Sequence, residues 1–391
     1  MSSIVKRLIL VLLAFCTLAS VALFTFAHQN LSRAHAAPSL QSASPSVSVY
    51  FGSDNDAFYA LTADEGFLRW TYQYQQGGNT WSPTVVVNGV IYFEVANSSS
   101  TAIVSLRTDG SKRWIYQFPP QTVGRNALAV ANGLVYFAVD STVSNSALYA
   151  LNAKGGSVAW THSARANNSF GNPVVDNGMV YVAELPNSGS TNTPRLDALN
   201  ASDGSVIWTQ VLTSSPRTNL AAANGVIYFG GSDSSLYAIK ETDGLVLWHS
   251  PVDGGPISTP GVGNGIIYYA AANDSVTAVN ATDGSLVWDY LIGQAFAPTV
   301  SPAIYMTSNW TRVYIGSLNR NMYAFNASSG ALVWKTKIGT RITTTASIKN
   351  GIVHVGLQNG TLRTLNTTNG VQRWFYHTNG SIYTSSPPAL Y

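Results

Sequence analysis

The side chains that could do chemistry are few and scattered. Beyond residue 36 there are four histidines, His162, His249, His354 and His377. No two share a spacing within one segment that would hold a metal. Three of them follow a tryptophan by one to three residues, and the group reads as solvated histidines at strand ends. Cys16 is the only cysteine, so the rest of the chain supplies no thiolate nucleophile, disulfide or cysteine-based metal site. Asp109, Asp203, Asp243 and Asp283 each stand directly before a glycine, where turn chemistry accounts for them. Ser53-Asp54-Asn55-Asp56 is rich in oxygen but lacks the twelve-residue loop and closing Glu of a calcium hand. No Gly-x-Ser-x-Gly elbow occurs. The glycine-rich pieces are not followed by a helix that could help cradle phosphate. The sequons at Asn200, Asn280, Asn326 and Asn366 fall in one recurring turn, so turn propensity explains them.

The elements that would have to position any site are repeats. Residues 224–248 read NGVIYFGGSDSSLYAIKETDGLVLW, and this phrase recurs with drift from residue 49 onward. Each copy ends on a tryptophan: Trp70, Trp114, Trp160, Trp208, Trp248, Trp288, Trp334 and Trp374. The gaps are 44, 46, 48, 40, 40, 46 and 40 residues, and a period of about 40–45 fits one four-stranded propeller blade. Asn-Gly at 88, 132, 177, 224, 264 and 350 sits between apolar runs. It is a strong hairpin signal, because both residues accept positive φ. Small residues in the first strand of each copy suit a narrow hub. Bulky Tyr and Trp suit the outer strands, where blades diverge. A lone blade cannot bury both faces; stacking blades about an axis does so and leaves only short edges.

The triplet Ala, Gly six residues on, Trp four further on occurs at Ala60/Gly66/Trp70, Ala150/Gly156/Trp160, Ala198/Gly204/Trp208, Ala238/Gly244/Trp248, Ala278/Gly284/Trp288 and Ala324/Gly330/Trp334. The second copy is one residue short (Ser105, Gly110, Trp114), and the eighth has Thr364 for Ala, with Gly370 and Trp374. This resembles the tryptophan-docking motif of the quinoprotein (PQQ-like) repeat family of β-propellers, across nearly all of residues 49–391. The resemblance implies an all-β fold: a single eight-bladed propeller of four-stranded antiparallel blades, each Trp wedged between neighbours. The last copy is followed by residues 384–391, TSSPPALY, and the first copy lacks its innermost strand. The C-terminal segment is therefore expected to complete blade one and close the ring.

The family includes quinoprotein alcohol dehydrogenases. The resemblance implies, for that activity, a vicinal cysteine pair, a calcium or lanthanide held by carboxylate and amide oxygens, and an Asp base. The cysteine pair is missing here, so an enzyme is not the first expectation.

Residues 1–36 read as a signal peptide or N-terminal membrane anchor. Lys6 and Arg7 precede an apolar run over residues 8–27, and Ala34-His35-Ala36 offers a small-x-small cleavage site. Phe15 spoils a lipoprotein box at Cys16. With the positive flank held inside, the propeller is expected outside the cytoplasm: secreted, periplasmic or membrane-anchored facing outward. Residues 37–48 form a Ser/Pro linker. The chain has 21 Lys and Arg against 18 Asp and Glu. Three of the basic residues lie in 1–36 with no acid, so the remainder balances. Charge thus gives no argument for nucleic acid or an anionic membrane surface.

One face is the best candidate for binding. Loops between the second and third strands are long at residues 96–101, 140–146 and 185–195, and the segments crossing between blades emerge on the same side. Those segments supply Trp81, Arg125, Phe170, Arg217, Phe296, Arg341 and Tyr383, of the aromatic and Arg types that dominate binding hot spots. They could equally plug the channel mouth. The expectation is an exported, non-catalytic binding or scaffold propeller of the cell envelope, monomeric and without a cofactor. It would offer this face to a protein or glycan partner, with no nucleic acid and a membrane contact only through the N-terminal segment. The alternatives are a dehydrogenase dependent on PQQ and calcium, and a carbohydrate-recognition module.

Overall fold

The computed structural model describes residues 47–74, 83–97, 101–124, 127–141, 146–293, 300–382 and 387–391. The chain divides into Met1–Pro45 and Ser46–Tyr391, and the fold is that of the second unit. The expected signal or anchor and nearly all of the linker lie outside the described residues, as do Trp81, Arg125, Phe296 and Tyr383.

Among the described residues the strands form eight antiparallel sheets that share one order of four strands, innermost to outermost, and the third and fourth sheets add a short fifth strand from the crossing segment. Blade 5 shows the unit: Ala221–Ala223, Val226–Gly230, Ser235–Lys240 and Val246–Pro251. Asn224 and Gly225 join the first two strands with φ of 54° and 78°, the two positive values that a type I′ turn needs. The other five Asn-Gly pairs behave alike. The innermost strands touch in sequence around the hub, from blade to blade and back to the first.

The docking tryptophans hold the blades together. In blade 5 Ala238 pairs with Trp248 and Ile239 with Val246, so the outermost strand carries an extra residue there. Such a bulge re-aims a side chain. The shift recurs in every blade, and each indole points to the next one. There it lies against the turn glycine: Trp248 on Gly284, Trp288 on Gly330, Trp374 on Gly66. Gly330 illustrates why glycine is needed. Its φ is +68°, and a Cβ would come within 2.7 Å of the Trp288 ring, so shape and backbone both exclude a side chain. Each indole Nε1–H also donates to a backbone carbonyl of the next blade, from Trp70 to Thr108 O at 2.9 Å round to Trp374 to Ala63 O at 3.1 Å.

A second donor reaches the same carbonyl in six blades. Tyr136 and Trp160 share Ala201 O, at 3.0 Å each. Tyr314 and Trp334 share Thr367 O. Tyr92, Tyr181 and Tyr268 repeat the arrangement. In blade 8 the position is His354, fully buried, with Nε2 3.0 Å from Ala63 O. The sequence reading of His354 as solvated is therefore corrected: it fills the tyrosine position of the other seven blades. Burial holds its pKa below the usual histidine value, against the opposing pull of the Ala63 carbonyl and Asp64. A histidine neutral in the fold and free to protonate when unfolded contributes fully above pH about 6.5. That contribution fades as the pH drops through this value toward the depressed folded pKa. Between pH 7 and 5, thermal unfolding should therefore show a loss of stability in the natural chain that His354→Tyr lacks. Parallel pH profiles for the two would contradict this role.

The ring closes as the repeat count requires. Ala389–Leu390 is the innermost strand of blade 1, with Val49 opposite Leu390 and Tyr50 opposite Ala389. Ser48 and Tyr391 exchange backbone bonds of 2.7 and 3.0 Å.

Candidate functional site

The crossing segments and the turns between second and third strands do share one face. Pro216, Pro256 and Ile342 form bridges to Gly231, Ala271 and Leu357, the residues that open those turns. A hydroxyl two residues after each bridge accepts from the second strand: Thr218 from Gly230 N, Ser258 from Ala270 N and Thr344 from Gly356 N, at 2.8–2.9 Å. The segments are thus fastened to the blades by backbone and hydroxyl bonds. Arg217 and Arg341 are exposed upon them. They are not equivalent, since Arg217 follows its bridge residue and Arg341 precedes its own.

Phe170 is different. It belongs to Asn168–Phe170, pairs with Glu184 and takes the position of Pro216 and Ile342. Its ring is 3 % exposed and packs in the core beside His162 at 5.7 Å. It fills the blade 3/4 interface and offers no surface. Of the seven candidates, the described residues therefore bring Arg217 and Arg341 to the face and place Phe170 beneath it.

Sequence reasoning overlooked a buried charge network at the same edge of blade 4. Glu184 is fully buried. Its Oε1 accepts from the Arg165 backbone N–H at 2.6 Å and from Asn168 Nδ2 at 2.9 Å. Arg165 Nε lies 3.2 Å from Oε1, and Arg195 Nε lies 2.5 Å from Oε2 and 3.1 Å from Asp197 Oδ2. Thr209 donates to Asp197 at 2.7 Å. Burial raises the Asp197 pKa, opposed by Thr209 and Arg195, and burial lowers that of His162. Arg165 also donates to Thr193 O, and Asn192 to Asn168 Oδ1, so the network anchors the long loop at residues 185–195. The signal was present: a Glu inside the apolar strand MVYVAELP must either find partners for its carboxylate or stay protonated.

Between blades 8 and 1 the same face holds an open polar cavity of about 440 Å³, lined by Asp54, Asn359, His377, Thr378, Asn379 and Ser381, with Gly380. His377 Nδ1 lies 3.1 Å from Thr361 Oγ1.

Among the described residues no three His, Cys, Asp or Glu gather as metal ligands. Asp203, Asp243 and Asp283 instead cap their own turns, each accepting a backbone N–H two residues on at 2.9–3.1 Å. Those turns lie at the far face from the crossing segments.

The sequence matches the family described as outer membrane protein assembly factor BamB, over residues 27–193, 192–309 and 301–390. No curated protein matches it. Among solved structures it is similar to BamB from Moraxella catarrhalis, at 12 % identity and a TM-score of 0.63, covering 81 % of this chain and 89 % of that one. The computationally designed Ika8 protein is similar at 13 % identity and 0.66, covering 83 % and 94 %. Quinohemoprotein alcohol dehydrogenase from Comamonas testosteroni is similar at 12 % and 0.64, covering 88 % and 70 %. At such identities the structural likenesses speak for the fold alone. The family match spans nearly the whole propeller, and with eight docked tryptophans in one register the chain belongs to the PQQ-like propeller family described by outer membrane protein assembly factor BamB.

Proposed function

We propose that this chain is an exported, non-catalytic scaffold of the cell envelope that works without a cofactor and presents its crossing-segment face to a partner protein. The observation that carries this reading is the pinning of that face. Segments held by bridges and hydroxyl bonds present Arg217 and Arg341 on a backbone ordered in advance, and a preordered surface loses less conformational entropy on binding. Arginine is among the residue types that dominate such interfaces. The family description, an outer membrane assembly factor, supports a protein partner and an extracytoplasmic site. The carboxylates of the far-face turns serve their own backbones, which weakens the dehydrogenase alternative.

A photo-crosslinking residue placed at Arg217 or Arg341, in cells making the full chain, should join it to one discrete protein. The same residue at Asp203 or Asp283, on the opposite face, should not. Equal products from both faces, or none from either, would reject the reading. Turnover of alcohols or sugars with a dye acceptor, after adding quinone and calcium, would reject it in favour of the dehydrogenase.

The polar cavity between blades 8 and 1 supports a second reading, carbohydrate recognition. Its carboxylate, amides and hydroxyls match the groups that a sugar's hydroxyls require. Binding on a glycan array that His377→Ala removes would favour it.

A further inference from the structure

Blade 6 departs from its neighbours at one position. The third-strand residue beside the docking Ala is Tyr59, Tyr149, Tyr237 and Tyr323 in blades 1, 3, 5 and 7. In blades 1 and 5 that ring stacks on the second strand, Phe51 on Tyr59 at 5.4 Å and Phe229 on Tyr237 at 5.1 Å. In blade 6 the residue is Thr277. The missing ring leaves a cavity of about 370 Å³ between the outermost strand of blade 5 and the outer strands of blade 6. Pro251, Val252, Val279 and Leu286 give it apolar walls, and Asp253 and Asp289 stand on its lining. Gly284, with Trp248 and Ser250 against it, lies at one end. Tyr269 also lines the cavity. It is fully buried, and its hydroxyl has no hydrogen-bond partner. The Thr277 hydroxyl stands beside it, and the phenol oxygen is left open to a donor that enters the cavity.

Blade 4 offers the comparison for that cavity. Its third-strand residue is Asp197 and the facing outer-strand residue is Thr209. In blade 6 the same pair is reversed, Thr277 facing Asp289. The hydroxyl donates to the carboxylate at 2.7 Å in both. In blade 4 the carboxylate is completed by a guanidinium from two residues earlier, Arg195 Nε at 3.1 Å. The equivalent residue in blade 6 is Ser275, whose hydroxyl is taken up by Asn273. No Lys or Arg lines the cavity. Blade 6 thus has one of the two carboxylates that hold Arg195 in blade 4, Ala271 standing at the position of Glu184, and an empty volume, without the cation.

We propose that this cavity receives an arginine side chain presented by a partner protein. The aliphatic stem would lie along Val252, Val279 and Leu286, and the guanidinium would donate to Asp289 and to the Tyr269 hydroxyl oxygen. A planar, multiply donating cation suits a carboxylate and a phenol oxygen together better than a compact ammonium does. The walls are too apolar, and the carboxylates too few, for a calcium shell of six to eight oxygens. The site runs along the outer rim and reaches the crossing-segment face only at its Asp253 and Asn273 end; it uses neither Arg217 nor Arg341, so either assignment can fail alone.

The probe is Nα-acetyl-arginine amide, titrated against the full propeller by saturation-transfer NMR, with the neutral isostere Nα-acetyl-citrulline amide alongside. Saturable binding of the arginine probe and none of the citrulline one is expected. Asp289→Asn should weaken binding about tenfold or more, the loss expected of one charge-assisted hydrogen bond. Thr277→Tyr, which restores the ring of the neighbouring blades, should abolish it while leaving the melting temperature unchanged or higher. Tyr269→Phe should weaken binding without destabilising the free protein, because it removes an unpaired buried hydroxyl. Arg217→Ala on the other face should bind the probe as the natural chain does. The assignment is overturned if the two probes bind alike, if the arginine probe does not bind, if Asp289→Asn and Thr277→Tyr leave its affinity unchanged, or if calcium binds there in its place.

Discussion

Trp288→Ala should lower the free energy of unfolding by about 3–5 kcal/mol, the range for removing a buried large aromatic, read as a fall in the urea midpoint. The indole is 8 % exposed. It lies 5.9 Å from the Tyr268 ring in its own blade and 6.0 Å from Phe325 in the next. Its Nε1–H donates to Ala327 O at 2.8 Å. Truncation leaves a cavity between two sheets that Gly330 cannot fill, whereas the carbonyl keeps its second donor, Tyr268, at 3.2 Å. The loss should therefore come mainly from packing. Trp288→Phe, which retains a ring and forfeits the hydrogen bond, should cost clearly less. The internal control is Trp310, a tryptophan outside the repeat. It sits in the turn before Thr311–Gly316, half-buried, with the Arg312 guanidinium 4.1 Å over its ring and Tyr305 at 5.8 Å. An exposed cation–π contact is worth about 0.5–1 kcal/mol, so Trp310→Ala should lose no more than that. Equal losses at the two positions would mean that the indoles do not hold blade to blade.

The contrast also shows what a sequence displays and what it hides. Docking joins consecutive repeats, so its Ala, Gly and Trp recur at nearly fixed spacing, and blade number and the need for a closing strand follow from counting. The face was legible for the same reason, as strand alternation forces the crossing segments and the turns at residues 231–235 and their equivalents to one side. Phe170 lies deep because it takes the bridge position of Pro216 and Ile342, which are buried as well, and that position shows only when the crossing segments are set in register. His354 looked like a strand-end residue until it fell into the tyrosine position of seven other blades. Glu184 draws cations from Arg165 and Arg195, which reach it from two different strand ends. The Thr277–Asp289 pair is a reversed copy of Asp197–Thr209. It becomes visible only when third and outermost strands are set in register, since no local motif announces an exchange across a ladder.

Deleting residues 384–391 should be the second large loss, and its character should differ from that of Trp288→Ala. The segment brings the hub strand Ala389–Leu390 to Ser48–Gly52. The Ser48–Tyr391 backbone bonds close the ladder, Leu390 packs against the apolar cluster of blades 8 and 1, and Ser347 donates to Pro388 O. Two cross-closure bonds at about 1 kcal/mol each, with a partly buried leucine adding about 1–2 kcal/mol, give a loss on the order of 3–4 kcal/mol. Trp374 would still dock on Ala63 and Gly66, so the ring should hold at the rim and open at the hub. The backbone of Val49 and Tyr50 would then become an unpaired edge, a template for pairing with another chain. A shortened protein should thus melt earlier and associate with concentration, where Trp288→Ala only melts earlier. The peptide TSSPPALY added in trans should reverse both effects, because a single extended strand can be supplied from outside. If the shortened chain melts as the full one does, or if the peptide rescues nothing, the termini do not close the circle by strand pairing.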